Sequence, residues 1–140
     1  RDPKKAEEFA KANGIKNVYK TYEELLADND IDAVYNPLPN GLHYEWTKKC
    51  IEAGKPCLLE KPSCSNAAET KALFELAESK KVVLLEALHH RFHPKLHKLR
   101  EVAQSGKIGD IQRIETRFHL AEGVMKTNDI RYSYELAGGA

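Results

Sequence analysis

Three short apolar segments, separated by helix-like patterns, constrain the fold of this chain most strongly. They lie at residues 31–35, 56–60 and 82–85, and each is typical of a buried strand. Amphipathic patterns predict helices between them, over about residues 42–53 and from residue 66 onward. Strands with two apolar faces that alternate with helices are typical of a parallel sheet covered on both sides. The sequence therefore predicts an α/β fold with a doubly wound parallel sheet.

Capping residues mark where several of the predicted helices begin and end. Asp2 followed by Pro3 is a typical helix start, and Gly14 is a typical stop for the helix that follows. Thr21 and Asn66 are each followed three residues later by a glutamate, which is the pattern of a capping box. These signals predict helices that begin close to residues 3, 22 and 67.

The pattern changes after residue 88. Pro94 predicts the start of a helix that ends at Gly106, and apolar and polar residues then alternate over residues 108–120. Such alternation is typical of a long strand with one solvent-facing side, in a mixed or antiparallel sheet. We therefore expect residues 1–88 to form one domain and residues 89–140 to begin a second, α+β domain.

Charge and cysteine content exclude several kinds of partner. Lys and Arg number 22 against 21 Asp and Glu, so the net charge of +1 predicts no binding of nucleic acid. The apolar runs are too short to span a membrane, and no leader pattern opens the chain. The three cysteines (Cys50, Cys57 and Cys64) form no CxxC pair, which favours reduced thiols and a cytoplasmic protein.

Two segments follow predicted strands and should therefore lie at the carboxyl edge of the sheet, where ligands bind in doubly wound folds. The first is the proline-rich loop at residues 36–43, and the second is Glu60-Lys61-Pro62. A partly desolvated lysine at such an edge can donate to a substrate oxygen and stabilise negative charge on it. Taken alone, however, the tripeptide is also typical of an ordinary solvated strand end.

Three longer segments together show a family resemblance. Residues 36–43 (NPLPNGLH), 53–62 (AGKPCLLEKP) and 86–94 (EALHHRFHP) closely resemble the Gfo/Idh/MocA oxidoreductases, named for glucose-fructose oxidoreductase and inositol dehydrogenase. The resemblance implies a Rossmann domain that is only partial here, because the Gly-rich phosphate turn is absent from the chain. The first residue is not Met, and we expect a fragment that lacks both ends of the protein and is inactive by itself.

The resemblance also implies roles for individual residues. Lys61 matches the family's catalytic lysine, which binds the reacting hydroxyl group. Arg1 matches a position where a cation faces the 2′-phosphate, which favours NADP over NAD as cofactor. The residues implied in cofactor binding are Arg1, Pro37, Leu38, Asn40, His43, Glu60, Lys61, Pro62 and Arg91, and those implied in substrate binding are Lys61, His90 and Phe92. The family's proton-transfer Tyr or His would follow residue 140.

The function implied is hydride transfer from a sugar hydroxyl group to NADP, with D-xylose and its product D-xylonolactone as the leading pair. Two alternatives stay open: a trans-1,2-dihydrodiol dehydrogenase of the same family, and a non-catalytic NADP-binding regulatory protein. The expected partner is a small sugar or diol, and the resemblance implies that the parent protein forms a homodimer.

The histidines on either side of residue 90 raise the question of a metal site. His89, His93 and His97 are four residues apart, a spacing that can place ligands on one helix face. Pro94 interrupts this run, so a single helix cannot present all three imidazoles. The sequence therefore predicts no metal site.

Overall fold

The structure of the chain is a computed structural model, and it describes residues 2–119, 121 and 129–138. The chain divides into two compact units, Arg1–Glu86 and Ala87–Ala140.

A parallel three-stranded sheet forms the centre of the first unit. Its strands are β1 (Val34–Asn36), β2 (Cys57–Leu59) and β3 (Leu84–Glu86), in the spatial order β1-β2-β3. The register aligns residues in rows across the sheet, of which Tyr35, Leu58 and Leu85 form the middle row. Parallel pairing requires a crossover between consecutive strands, and a helix provides each one. The predicted α/β class with a parallel sheet is confirmed.

Among the described residues, four helices belong to the first unit and one to the second. They are α1 (Pro3–Asn13), α2 (Tyr22–Ala27), α3 (His43–Glu52), α4 (Ala67–Lys80) and, in the second unit, α5 (Pro94–Gln104). Helix α3 connects β1 to β2, and α4 connects β2 to β3. Short 3₁₀ turns occur at Asn40–Leu42, His89–Phe92, Ile130–Tyr132 and Tyr134–Leu136.

The predicted helix caps are present as hydrogen bonds. The Asp2 carboxylate accepts from the backbone N–H groups of Lys4 and Lys5 at 3.1 and 3.3 Å. The Asn66 side-chain oxygen accepts from the Glu69 N–H at 2.9 Å, and the Thr21 hydroxyl accepts from the Glu24 N–H at 3.1 Å. Each of these contacts satisfies a backbone donor that the first helical turn leaves unpaired.

The core lies where α3 and α4 pack against each other and against one face of the sheet. Its buried members are Cys50, Ile51, Cys57, Leu59, Cys64, Leu73 and Ala77. Side chains alternate between the two faces of a strand, so β2 contributes Cys57 and Leu59 to the core while Leu58 points to the other side. We call the side that α3 and α4 pack against the covered face.

The opposite face, which we call the open face, is accessible in the described part of the chain. Tyr35, Leu58 and Leu85 form its row across the three strands, with exposed fractions of 54%, 40% and 41%. The apolar residues on both faces of the strands predict a sheet that helices cover on both faces. Among the described residues, the packing that buries strand side chains occurs on the covered face.

The second unit contains α5 and a long segment without regular structure. The alternating pattern predicts a strand over residues 108–120, but residues 108–119 are not assigned to a strand, and residue 120 lies outside the described residues. Ile114 and Phe118, on the predicted apolar face, are exposed. A strand is stable only when its backbone pairs with a neighbour, and the mixed or antiparallel sheet of a substrate domain stays a prediction.

Candidate functional site

The carboxyl ends of the three strands bring the predicted site segments of the first unit together. The last aligned row is Asn36, Leu59 and Glu86. Beyond this row, the Glu60 N–H donates to the Asn36 carbonyl at 3.0 Å and continues the pairing of β1 with β2. The loop after β1 and the segment after β2 are therefore neighbours at one edge, as the parallel arrangement predicts.

The Glu60 carboxylate is held by two donors. One oxygen accepts from the Tyr35 hydroxyl at 2.7 Å, and the other accepts from the Lys61 backbone N–H at 3.0 Å. The hydrogen bond to this carboxylate raises the pKa of Tyr35 above its ordinary value, and partial desolvation adds to the shift. Lys61 itself is exposed at the end of β2, so its ammonium group is accessible to a ligand at this edge.

His43 connects the two loops that form the edge. Its ring is buried, with an exposed fraction of 1%. Nδ1 lies 2.8 Å from the Pro62 carbonyl oxygen, and Nε2 lies 2.6 Å from the Leu38 carbonyl oxygen. A ring nitrogen donates to a carbonyl when it bears a proton, so the tautomer decides which loop the neutral ring holds. His43 was predicted to contact the cofactor, and the structure places its ring nitrogens against the protein backbone.

Two polar residues of the covered face support these loops, and sequence reasoning assigned neither of them to the site. Asn36 is buried; its amide nitrogen donates to the Thr47 hydroxyl at 3.0 Å, and its oxygen accepts from the Leu38 N–H at 3.2 Å. Glu86 accepts from the Ser63 N–H at 3.0 Å. Each is the last residue of its strand, and a polar residue at the end of an apolar strand is the signal that could have identified it.

The other predicted residues fall into three groups. Pro37, Leu38 and Asn40 lie in the loop after β1, with Pro37 exposed and the other two half-buried, and Pro62 is exposed beside Lys61. His90, Arg91 and Phe92 lie in the 3₁₀ turn of the second unit and are exposed there. Arg1 lies outside the described residues. The structure thus brings together the predicted residues of the first unit, while the roles of the others stay predictions.

An apolar cavity lies beside the loop that follows β1. Its volume is about 140 Å³, and it is lined by residues of α2, β1 and α3 together with Pro37 and Leu38. Trp46 forms one wall and contacts Tyr22 edge to face, with ring centroids 4.7 Å apart. The Lys49 ammonium lies 3.9 Å from the centre of the Trp46 ring. These contacts hold the Trp46 ring in place as part of the cavity wall.

Neither a metal site nor a membrane-spanning helix is found among the described residues. Within residues 2–119, 121 and 129–138, no group of three or more His, Cys, Asp or Glu side chains could hold a metal ion. In the same described part of the chain, every helix is too short or too polar to cross a bilayer.

Comparisons with known proteins agree with this geometry. Residues 1–88 match the family model GFO_IDH_MocA, described as an oxidoreductase family with an NAD-binding Rossmann fold. D-xylose 1-dehydrogenase (NADP(+)) 2 of Haloferax volcanii is 40% identical over 100% of this chain and 42% of its own length. Mouse trans-1,2-dihydrobenzene-1,2-diol dehydrogenase is 39% identical over 84% of this chain and 35% of its own length.

A solved structure shows the same fold. The 3-ketoreductase KijD10 of Actinomadura kijaniata, in complex with TDP-benzene and NADP, superposes with a TM-score of 0.69 at 33% identity. The superposition covers 76% of this chain and 34% of KijD10, and the chain spans about two-fifths of the curated relatives it matches.

The parallel sheet, the lysine at its carboxyl edge and the family match over residues 1–88 lead to one conclusion. The chain belongs to the Gfo/Idh/MocA family of oxidoreductases and contains its NAD-binding Rossmann fold.

Proposed function

We propose that the protein containing this chain is an NADP-dependent dehydrogenase that oxidises a sugar hydroxyl group, with D-xylose as substrate and D-xylonolactone as product. The observation that supports this most directly is the position of Lys61. It is exposed at the carboxyl edge of the sheet, directly after β2, on a segment that His43, Glu60 and Glu86 contact. The xylose dehydrogenase of Haloferax volcanii, similar over the whole chain, supports the choice of substrate.

The residues at this edge fit the nicotinamide end of a dinucleotide. Pro37 follows β1 and Pro62 lies in the segment after β2; both are exposed and offer rigid apolar surfaces for a flat ring. Lys61 adds a cation where the substrate oxygen would lie, and Asn40 contributes a polar side chain to the same loop. NADP, when bound, supplies the carbon that accepts the hydride.

Lys61 would act on the substrate oxygen. Its ammonium group donates a hydrogen bond to the reacting hydroxyl and stabilises the negative charge that develops there as hydride leaves the carbon for NADP. The hydroxyl proton would pass to a proton-transfer Tyr or His of the complete protein. Glu60 contributes by position, because its carboxylate accepts from the Lys61 N–H and from the Tyr35 hydroxyl. The lysine backbone is thereby tied to β1 as well as to β2.

The remaining assignments belong to the same proposal. Arg1, Pro37, Leu38, Asn40, Glu60, Lys61, Pro62 and Arg91 would line the cofactor site, and Lys61, His90 and Phe92 would contact the substrate. The buried His43 would act on the cofactor site through the two loops that its ring contacts. Residues 1–88 would form the cofactor domain, and residues 89–140 would begin the substrate domain. The intact protein would be a cytoplasmic homodimer with no nucleic-acid or membrane partner.

The decisive experiment replaces Lys61 in the complete gene product. We expect Lys61→Ala to lower kcat for D-xylose about 100-fold or more, because the substrate oxygen loses its charged donor. The dissociation constant for NADPH, measured by fluorescence titration, should change little. Lys71→Ala, at an exposed lysine of α4, is the matched control. Full turnover in the Lys61→Ala variant would contradict the assigned role.

The alternative substrate has support from the mouse relative, which is a trans-dihydrodiol dehydrogenase by name. Initial rates with D-xylose and with trans-1,2-dihydrobenzene-1,2-diol, each with NADP in excess, separate the two activities. A higher kcat/KM for the diol than for D-xylose would show that the protein is a dihydrodiol dehydrogenase. NADPH binding without turnover of either compound would instead support a regulatory protein.

A further inference from the structure

Glu86 occupies an unusual position at the end of the sheet. It is aligned with Leu59, which is fully buried, and through Leu59 with the buried Asn36. This row therefore places a carboxylate on the covered face, where an apolar side chain would be the ordinary choice. Burying part of a carboxylate costs free energy unless hydrogen bonds satisfy it. The hydrogen-bond partner of Glu86 therefore indicates what this residue does in the fold.

The partner of Glu86 is the backbone just beyond Lys61. The carboxylate accepts from the Ser63 N–H at 3.0 Å, across a sequence separation of 23 residues. The strand that precedes Lys61 is β2, and Glu86 ends the neighbouring β3. The hydrogen bond therefore joins the segment after β2 to the end of the adjacent strand.

The same peptide group is contacted from its other side. The Pro62 carbonyl and the Ser63 N–H belong to one planar peptide unit. The Pro62 oxygen lies 2.8 Å from Nδ1 of His43, while the Ser63 nitrogen donates to Glu86. His43 begins α3 and Glu86 ends β3, so two separate elements hold opposite ends of this unit when Nδ1 of His43 bears the ring proton. A planar group held at both ends has a fixed orientation, and Lys61 is only one residue away.

We propose that Glu86 is a positioning residue for Lys61. Its carboxylate oxygen orients the Pro62–Ser63 peptide together with His43, and this fixes the direction in which the Lys61 side chain leaves the backbone. The inference rests on the proposed function, because it assigns importance to Glu86 through the lysine. Glu86 acts as a hydrogen-bond acceptor, and its negative charge is not what the lysine requires.

Three variants of Glu86 in the complete gene product test this role. Glu86→Gln retains a side-chain oxygen at the same reach and removes the charge, so kcat should stay within about threefold of the wild-type value. Glu86→Asp retains the charge but shortens the side chain by one methylene group, and Glu86→Ala removes the acceptor. Both should lower kcat about tenfold or more, since small displacements of a reacting group reduce the rate strongly. Glu75→Ala, at an exposed glutamate of α4, is the control.

The readouts separate this inference from the proposed function. NADPH binding should be similar in all variants, and the loss should appear in kcat rather than in KM. If Glu86→Ala does not fold, Glu86→Gln and Glu86→Asp still test the positioning role. The first keeps the length of the side chain and removes its charge, while the second keeps the charge and shortens the side chain. Equal activity of all three variants, or a Gln variant as impaired as the Asp variant, would overturn the positioning role. An unaffected Lys61→Ala variant would instead overturn the proposed function.

Discussion

The two faces of the three-stranded sheet are formed by the same three short strands, yet they differ in nearly every physical respect. On the covered face, Leu59 is fully buried beneath α3 and α4. On the open face, the adjacent Leu58 keeps 40% of its surface exposed. Neighbouring leucines in one strand thus differ only in the direction of their side chains. Burial follows from the element packed above a residue and cannot be read from the type of the residue.

Polar residues show the same contrast. Asn36 on the covered face is buried and has partners for both its amide nitrogen and its oxygen. Tyr35 on the open face has its hydroxyl bonded to Glu60 but keeps most of its ring in solvent. A buried polar group must be satisfied by the protein, whereas water can substitute for a lost partner at an exposed one. The candidate site therefore has a buried polar support, Asn36, on the covered face and a solvent-exposed one, Tyr35, on the open face.

The leucine pair gives the largest expected effect. Leu59→Ala should lower the free energy of unfolding by about 2–5 kcal/mol, because it opens a cavity in the core. Leu58→Ala should cost less than about 1 kcal/mol, as is usual for partly exposed positions. Denaturant unfolding of the two variants measures the difference directly. A loss at Leu58 as large as that at Leu59 would show that another segment of the complete protein buries the open face.

The polar pair on β1 should give an intermediate effect. Asn36→Ala removes the partners of Thr47 and of the Leu38 N–H, and we expect a loss of about 1–3 kcal/mol in unfolding free energy. Tyr35→Phe removes one exposed hydrogen bond and should change the unfolding free energy by at most about 1 kcal/mol. Denaturant unfolding of both variants measures these changes. Equal losses of unfolding free energy in Asn36→Ala and Tyr35→Phe would show that polar residues contribute alike on the two faces.

The smallest expected effect is a pH dependence on the open face. The hydrogen bond to Glu60 raises the pKa of Tyr35 above its unfolded value near 10.0, so the fold favours the protonated phenol. This stabilisation is complete below the unfolded pKa and is lost as the pH rises through the folded pKa. An ultraviolet difference titration of wild type against Tyr35→Phe should show that Tyr35 ionises above pH 10.0. Glu60→Gln replaces the carboxylate by a neutral acceptor, so it should bring the pKa of Tyr35 closer to 10.0. Ionisation of Tyr35 below pH 10.0 would contradict the hydrogen bond.

Much of the local structure could be predicted from the sequence. The caps at Asp2, Thr21 and Asn66 were correct because a capping hydrogen bond joins residues only two or three positions apart. Each predicted strand overlaps an observed one, although the observed strands are only three residues long and the first begins three residues later than predicted. Lys61 was placed correctly at the carboxyl edge, since parallel strands necessarily end at one side of the sheet.

The strand predicted over residues 108–120 shows where such reasoning fails. Alternation of apolar and polar residues states which side chains could share a face, but pairing requires a second backbone at the right distance. Among the described residues, 108–119 do not form a strand. The periodicity of this segment is therefore compatible with a strand without being sufficient for one.

Amino-acid order alone was enough to establish the α/β class, the helix boundaries and the lysine at the end of β2, because these depend on interactions within a few residues or on a repeating pattern. Tertiary structure decided which face of the sheet is buried and which residues support the lysine. Its contacts join residues far apart in the chain: His43 meets Pro62 across 19 residues, and Glu86 meets Ser63 across 23. No local pattern encodes these distances, since they exist only after the helices and strands have packed.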